Sequence, residues 1–235
     1  FFISHLMAET IVSGDIRNVL YHSFPFRSCR CAWLLEELEL GDEFDIQKVS
    51  LHGPAANLSE YEKVHPYKTI PALKLTCGEV LLESGAICLY LGDTYKPKAE
   101  ARNMLPSMTE LGTYYNWILH ATSTVDQILE PLYMQLTHTT EENRDEDLIK
   151  RQREKFNVFA KTLSAHLKGK DWICGNHFTI ADCVIGYNVW WASIINKGEL
   201  IQDYPEIVAY RDRMCERPAW KKVFCRNPKP SGGSL

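Results

Sequence analysis

The sequence lacks the features that would direct it to a membrane or to nucleic acid. No apolar run approaches the roughly 20 residues that a membrane-spanning helix needs. The formal net charge is −4, from 26 Lys and Arg against 30 Asp and Glu, so the balance does not favour binding to nucleic acid or to an anionic lipid surface. Hydrophobic residues make up 45% and charged residues 24% of the chain, which is typical of a soluble globular protein. We therefore expect neither nucleic acid nor a membrane among its partners.

The cysteines lack the spacing of a redox or zinc motif. There are eight, none of them in a CxxC pair, and Cys29 and Cys31 are too close in sequence for that chemistry. Most lie among apolar residues, where a reduced thiol packs as a small hydrophobic group. We expect reduced structural cysteines, no metal site and a cytoplasmic protein.

We expect the two ends of the chain to lie outside its folded domains. "FFISHLM" lacks the charged region and long apolar core of a signal peptide, so residues 1–15 are expected to be leader-like, tag-like or disordered, with Met7 as the natural start. Residues 226–235 are expected to form a loose polar tail.

Residues 16–97 are predicted to form one α/β domain. The segments "NVLYHS", "FDIQKV", "PALKL" and "EVLLE" have the short apolar pattern of strands, the last two joined by a turn at Gly78. "RCAWLLEELEL" predicts a helix capped by Gly41, and "NLSEYEKV" predicts a short helix with Ser59 and Glu62 at capping-box spacing. A third helix is predicted to begin at Ser84. The predicted order is βαβ-α-ββα.

From about residue 101 the strand signals disappear. A linker is predicted over 98–104 and an all-helical domain over 105–225, because long stretches there show apolar residues at helical spacing. Pro131 is expected to bend or end the first long helix, and Pro218 to separate the last two. Internal repeats and low-complexity tracts are lacking.

Four separated segments then resemble the cytosolic glutathione transferases. "HPYKTIPALKL" resembles their xPxxxxPxL segment, and "LLESGAICLYL" resembles the acidic-Ser turn that enters their third helix. "FTIADCVIGY" resembles the motif that opens the core helix of their second domain, and "RSCRCAWLLEELEL" resembles the first helix of many bacterial and fungal members. The four occur in the family's order and spacing from about Arg17 to Phe224.

The resemblance implies a fold, a reaction and partners. The fold is a thioredoxin-like βαβ-α-ββα domain followed by an all-helical domain. The implied activity is that of a glutathione S-transferase, which conjugates the thiolate of its co-substrate glutathione to small hydrophobic electrophiles in detoxification. A homodimer is expected, because family members dimerise and the second domain is rich in Tyr and Trp.

The resemblance also implies which residues bind glutathione. The bond between Ile70 and Pro71 is expected to be cis, which would leave the main chain of Ile70 free to pair with the cysteinyl backbone of the tripeptide. Glu83 and Ser84 suit its γ-glutamyl end, since an acid binds the ammonium and a helix N-terminus binds the carboxylate. Lys68 is expected at the glycyl carboxylate, with His52 as a weaker candidate.

The residue that activates the thiol stays open among Ser23, Ser28 and Cys29, with Tyr21 as the last option. The family places a hydroxyl donor or a reactive Cys just after the first strand. Aligning "SFPFR" with tyrosine-type members gives Ser23, our first choice, and so does counting back from Arg30. A shorter loop gives Phe26, which has no donor, so that Ser28 or Cys29 would have to act.

Other residues near the predicted site are expected to pack in the core or to contact the second substrate. We leave Arg27 and Arg30 outside the site, because charge at a helix start is usually solvated, although Arg30 could also brace the first helix against the second domain. Thr179 and Asp182 have the spacing of a helix cap, so the buried acid is expected to be structural. Candidates for the wall of the electrophile site are Phe24, Phe26, Tyr114, Tyr115 and Trp117, while Trp190 and Trp191 are expected in the core.

Two alternative functions remain beside conjugation. One is an omega-like, glutathione-dependent thiol transferase or reductase that uses Cys29 through a mixed disulfide. The other is a non-catalytic interaction module of the same fold. Alkylation of the cysteines separates the first from conjugation, and retention on immobilised glutathione separates the second.

Overall fold

The first half of the chain folds into a four-stranded mixed sheet with helices on its faces. The computed structural model describes residues 17–51, 56 and 58–225. His52, the predicted leader and the predicted tail lie outside these residues. The strands and helices of this half are β1 (Asn18–His22), α1 (Ser28–Glu37), β2 (Phe44–Lys48), α2 (Leu58–Tyr61), β3 (Ala72–Lys74), β4 (Val80–Leu82) and α3 (Ser84–Thr94). The predicted order βαβ-α-ββα is confirmed.

The sheet has the strand order β2-β1-β3-β4. β1 runs parallel to β2, while β3 is antiparallel to both β1 and β4. Successive residues of β1 face opposite sides, as the period of a strand requires. Leu20 joins the main core with α1, and Tyr21 joins a smaller cluster with Tyr61, Ile70 and Ala72 on the other face.

The second half is helical. Its helices are α4 (Lys96–Ala101), α5 (Leu111–Leu119), α6 (Asp126–Tyr133), α7 (Glu146–Leu167), α8 (Ile180–Ile194), α9 (Pro205–Glu216) and α10 (Pro218–Phe224). A π-helical stretch, His120–Val125, joins α5 to α6, and a second one, Met134–His138, follows α6. No helix among the described residues is long and apolar enough to cross a bilayer.

Three local expectations need correction. α1 ends at Glu37, and the residue with a left-handed backbone after it is Glu39, at φ 52°, so Gly41 is not its cap. Ser59 lies inside α2. Pro131 lies within α6, and the chain continues as a helix beyond it. Helix α4 overlaps the linker predicted over 98–104, and the bounds of the two domains stay a prediction.

The two halves pack closely where α1 meets α8. Trp33 on α1 is fully buried, and its ring contacts Phe178 and Trp220 of the second half at centroid distances of 5.4 and 4.9 Å. A Cβ atom at Gly186 of α8 would lie 3.3 Å from the Trp33 ring and 2.4 Å from Sδ of Met214. Glycine at this position therefore allows the two helices to approach each other.

The start of α8 is held by a buried carboxylate. Thr179 and Asp182 form a reciprocal capping box, in which Oδ2 of Asp182 accepts hydrogen bonds from the Thr179 amide at 2.7 Å and the Thr179 hydroxyl at 3.0 Å. Oδ1 accepts from the Ile173 amide and the Tyr210 hydroxyl, each at 2.9 Å. The structural role expected of Asp182 is therefore confirmed.

Replacing Asp182 is expected to destabilise the fold strongly. Asp182→Ala would leave four buried donors without their acceptor, and each unsatisfied buried group costs about 1–3 kcal/mol, so a total loss of at least about 4 kcal/mol is expected. Urea unfolding followed by circular dichroism measures it. Asp203→Ala is the control, because this exposed acid should change the unfolding free energy by less than about 0.5 kcal/mol. Equal effects of the two changes would contradict the assignment.

Candidate active site

The strand register brings the predicted site residues to one end of the sheet. Tyr21 of β1 pairs with Ala72 of β3, and Ala72 pairs with Leu82 of β4. Because both pairings are antiparallel, the segment after β1, the segment before β3 and the segment after β4 meet at the same end of the sheet. These three segments carry Ser23, Ile70–Pro71 and Glu83–Ser84 respectively.

Ile70 presents its main chain and buries its side chain. The Ile70–Pro71 peptide bond is cis, as the resemblance implied. The side chain is 7% exposed and packs in the cluster with Tyr21 and Tyr61. No hydrogen bond within the described part of the chain uses the N–H or C=O of Ile70. This main chain is therefore available to an extended peptide.

The residue before Ile70 is fixed from two sides. The hydroxyl of Tyr61 donates to the Thr69 carbonyl oxygen at 2.8 Å, and the Thr69 hydroxyl lies 3.0 Å from Nε2 of His65. Both aromatic side chains are buried, so they anchor the segment to α2 and the turn that follows it. The free main chain of Ile70 is thereby presented in a defined position.

Glu83 and Ser84 occupy the start of α3. Ser84 is the first residue of this eleven-residue helix and is 3% exposed, while Glu83 is exposed and has a left-handed backbone at φ 69°. The first amides of a helix have no partners within the helix and attract anions. The arrangement can receive a carboxylate at the helix end and an ammonium at Glu83.

Lys68 is already engaged in a surface ion pair. Its Nζ lies 2.9 Å from Oε2 of Glu62, and both side chains are substantially exposed. Exposed ion pairs contribute little free energy, so an incoming carboxylate can replace Glu62 at small cost.

Of the three candidates for thiol activation, Ser23 alone has an accessible and unoccupied group. Ser23 follows β1 and is half-buried, and its hydroxyl makes no hydrogen bond to the residues that the structure describes. Ser28 is fully buried and its hydroxyl contacts His22 and Ser23. Cys29 is also fully buried, and burial raises the pKa of its thiol.

Arg30 is the site residue that the sequence reasoning left out. It is fully buried, and its Nη1 donates to Oγ of Ser84 at 3.0 Å and to Oδ2 of Asp126 at 2.9 Å. Its Nη2 donates to Oδ1 of Asp126 at 2.8 Å and to Oδ1 of Asn188 at 2.7 Å. Its Nε donates to the Val184 carbonyl at 3.0 Å. All five N–H donors of the guanidinium are thus used.

The partners of Arg30 could not be identified from the sequence because they are far away along the chain. The signal was an arginine inside an apolar helix, together with a lone Asp126 and a lone Asn188 in apolar helices of the second half. Burial opposes ionisation of Asp126, but Arg30, and after it Arg27, hold the pKa of this carboxyl below its usual value. Arg27 also pairs with Glu130 at the surface.

Aromatic residues line the side of the Ser23 turn that faces the second domain. Phe24 is partly buried and its ring centroid lies 5.8 Å from Trp190 and 6.3 Å from Phe224. Of the predicted wall residues, Tyr114 and Trp117 are buried in the core, whereas Phe26 and Tyr115 are exposed. Trp190, expected in the core, is half-buried beside Phe24, whereas Phe224 is buried in the core.

A cavity of about 390 Å³ lies elsewhere, between the sheet and α2. None of the predicted site residues lines it. Its lining comprises Tyr21, Gln47, Lys48, Val49, Ser50, Glu60, Tyr61, Lys63 and Val64.

Comparison with known proteins matches both halves of the chain. The family model "Glutathione S-transferase, N-terminal domain" matches residues 18–93, and the model "Glutathione S-transferase, C-terminal domain" matches residues 125–218. The chain is 28% identical over 194 residues to glutathione S-transferase GstA of Escherichia coli O157:H7, covering 81% of this chain and 90% of that protein.

Solved structures show the same fold. Glutathione S-transferase III in its apo form matches with a TM-score of 0.75 at 24% identity, covering 92% of this chain and 100% of the other. A glutathione transferase family member from Pseudomonas fluorescens, solved with two glutathione bound, matches with a TM-score of 0.76 at 22% identity, covering 91% and 94%.

Titration of Asp126 is expected to appear in the pH dependence of stability. Its folded pKa is lowered, so the ionised form stabilises the fold above the ordinary pKa of about 3.9, and this contribution is lost as the pH falls through the folded pKa. Asp126→Asn should cost about 3–5 kcal/mol at pH 7 by leaving Arg30 without its carboxylate. The difference between the two proteins should shrink below about pH 4.

Urea unfolding at a series of pH values measures this difference. Asp212→Asn is the matched control, because this carboxylate forms an exposed ion pair with Arg211 and should cost less than about 1 kcal/mol. A constant difference between wild type and Asp126→Asn from pH 7 to pH 2 would contradict the expectation.

Proposed function

The chain belongs to the glutathione S-transferase family, and on this premise we propose that it is a cytoplasmic enzyme that conjugates glutathione to small hydrophobic electrophiles. The proposed role is detoxification. The observation that carries the proposal is that three groups lie together at one end of the sheet. They are the hydroxyl of Ser23 and the main chain of Ile70, neither of which has a hydrogen-bond partner among the described residues, and the start of α3.

Glutathione is proposed to lie along this end of the sheet. Its cysteinyl backbone pairs with the N–H and C=O of Ile70, which fixes an extended peptide as an added strand. Its γ-glutamyl carboxylate binds Ser84 and the first amides of α3, while Glu83 accepts the ammonium. Its glycyl carboxylate binds Lys68 in place of Glu62. Arg30 orients Ser84 for this contact. Nη1 of Arg30 donates a hydrogen bond to Oγ of Ser84, so the serine proton is left to bond to the carboxylate.

Ser23 is proposed to stabilise the thiolate of the bound tripeptide. A free thiol has a pKa near 8.5, so only a small fraction is ionised at neutral pH. A hydrogen bond donated to an anion is worth about 1.5–3 kcal/mol, which lowers the thiol pKa by about one to two units. The thiol proton leaves to solvent. The sulfur lone pair then forms the new C–S bond, and the electrophile takes the displaced electron pair onto its leaving group or its conjugated oxygen.

The aromatic residues beside Ser23 support an apolar second substrate. Phe24, which follows Ser23 directly, and Trp190 of the second domain are both only partly buried and would form an apolar wall for the electrophile. Closing two reactants into one site replaces a bimolecular encounter by a positioned reaction.

Neither alternative function is favoured by a specific observation. Thiol transfer through Cys29 would need an accessible, ionisable sulfur, whereas this thiol is fully buried and its pKa is raised by burial. A non-catalytic module would not need the Ser23 hydroxyl, which has no partner among the described residues, at the same end of the sheet as the main chain of Ile70.

Ser23→Ala is the experiment that tests the mechanism. The pKa of the thiol of bound glutathione, followed by thiolate absorbance, should rise by about one to two units, and kcat at neutral pH should fall about 10- to 100-fold. The KM for glutathione should change little, because Ile70, Glu83 and Ser84 are untouched. Ser23→Thr keeps the hydroxyl and should restore most of the activity.

Three outcomes would redirect the proposal. An unchanged thiol pKa in Ser23→Ala would remove Ser23 from the mechanism. Loss of activity on alkylation of the cysteines would favour the thiol-transfer alternative, since conjugation through a hydroxyl should survive it. Failure of the wild-type protein to bind immobilised glutathione would favour the non-catalytic module.

A homodimer is proposed as well. Tyr115 and Leu119, one turn apart on α5, are 43% and 59% exposed, and Tyr67 beside the glutathione site is 78% exposed. Light scattering after size exclusion should give twice the mass of the chain, and Leu119→Arg should shift it towards the monomer by placing a charge in an apolar contact. Val158→Arg on α7, where Val158 is 67% exposed, is the control. A wild-type monomer at micromolar concentration would overturn this part.

A further inference from the structure

The hydroxyl of Ser28 holds both main-chain groups of Ser23. Its Oγ accepts a hydrogen bond from the Ser23 amide at 3.1 Å and donates one to the Ser23 carbonyl at 3.1 Å. The same Oγ lies 2.8 Å from Nδ1 of His22. Ser28 opens α1, so this one hydroxyl ties the segment after β1 to the first turn of the helix.

The protons of this cluster can be assigned from its donors and acceptors. A serine hydroxyl has one proton and two lone pairs. With the proton given to the Ser23 carbonyl, Oγ of Ser28 accepts from the Ser23 amide and from Nδ1–H of His22. His22 is 8% exposed, and burial, with Lys48 second, lowers its pKa to about 4. A neutral imidazole with its proton on Nδ1 satisfies every member of the cluster.

The rest of the turn is held from the other side. The Phe26 amide donates to the Ser23 carbonyl at 3.0 Å, and the hydroxyl of Tyr187 on α8 donates to the Pro25 carbonyl at 2.8 Å. Ser23 is therefore fixed through its main chain, while its own hydroxyl keeps no partner among the described residues. A group that must meet a sulfur atom needs this combination, since a misplacement of about 1 Å can cost about 100-fold in rate.

We propose that Ser28, oriented by His22, is a positioning residue that keeps the Ser23 hydroxyl directed at the sulfur of bound glutathione. The inference rests on the proposed role of Ser23. Ser28 does not touch the substrate, because it is fully buried and its hydroxyl is already occupied by three partners. His22 supplies one donor that keeps the Ser28 proton on the Ser23 carbonyl.

A double-mutant cycle on Ser23 and Ser28 tests the proposal. Ser28→Ala should lower the thiolate fraction of bound glutathione and kcat about three- to tenfold, less than Ser23→Ala, because the hydroxyl is present but loosely held. The KM for glutathione should stay within about twofold. In the Ser23→Ala background, Ser28→Ala should cause no further loss of kcat, because the effects of two substitutions do not add when one residue acts through the other.

Substitutions of His22 give a second, independent measurement. His22→Asn keeps an N–H donor close to the position of Nδ1 and should retain the thiol pKa of the wild type, whereas His22→Leu should behave like Ser28→Ala. Ser164→Ala is the control, because it removes one partly buried serine hydrogen bond, to Glu206 at 2.6 Å, far from the turn. It should leave the thiol pKa unchanged.

The outcomes distinguish this inference from the proposed function. If Ser23→Ala leaves the thiol pKa unchanged, the proposed role of Ser23 fails and this inference fails with it. If Ser23→Ala raises the thiol pKa but Ser28→Ala lowers only the unfolding free energy, or its effect on kcat adds fully to that of Ser23→Ala, the proposed function stands and the positioning role is overturned. The His22 pair decides the matter if Ser28→Ala does not fold.

Discussion

The buried guanidinium of Arg30 is the interaction on which the site depends. A charge without water is stable only when it is paired and hydrogen-bonded, and here every N–H has a partner. One of these partners, Ser84, belongs to the first domain, while Asp126, Val184 and Asn188 belong to the second. The position of α3 relative to α1 is therefore set together with the packing of α6 and α8. The helix start that is proposed to receive a carboxylate is therefore held in part by the helical domain.

At the end of the sheet where the predicted site lies, neighbouring residues divide main-chain and side-chain roles between them. Ile70 and Ser23 each have a polar group without a partner among the described residues, and in each case surrounding side chains hold the rest of the residue in place. Tyr61 and His65 fix the segment before Ile70, and Ser28 fixes Ser23. The free groups are therefore preorganised, and a ligand does not have to supply the ordering free energy itself.

Sequence patterns predicted what depends on neighbouring residues and missed what depends on distant ones. The order of strands and helices along the first domain, the start of α3 at Ser84 and the cap of α8 by Thr179 and Asp182 follow from short local signals. The end of α1 was misplaced because a glutamate, Glu39, adopts the left-handed backbone that glycine usually takes. The partners of Arg30 and the burial of Cys29 depend on how the two domains pack, which spacing along the chain does not contain.

The aromatic side chains beside Ser23 come from two parts of the chain, and these parts have different roles in the proposed function. Phe24 follows the serine that is proposed to stabilise the thiolate, whereas Trp190 lies on α8, which contributes none of the proposed glutathione contacts. In the proposed function, substitutions at Trp190 can change the space for the electrophile while the contacts to the tripeptide stay the same. Substrate range and cofactor affinity can thus diverge separately among descendants of one ancestral enzyme.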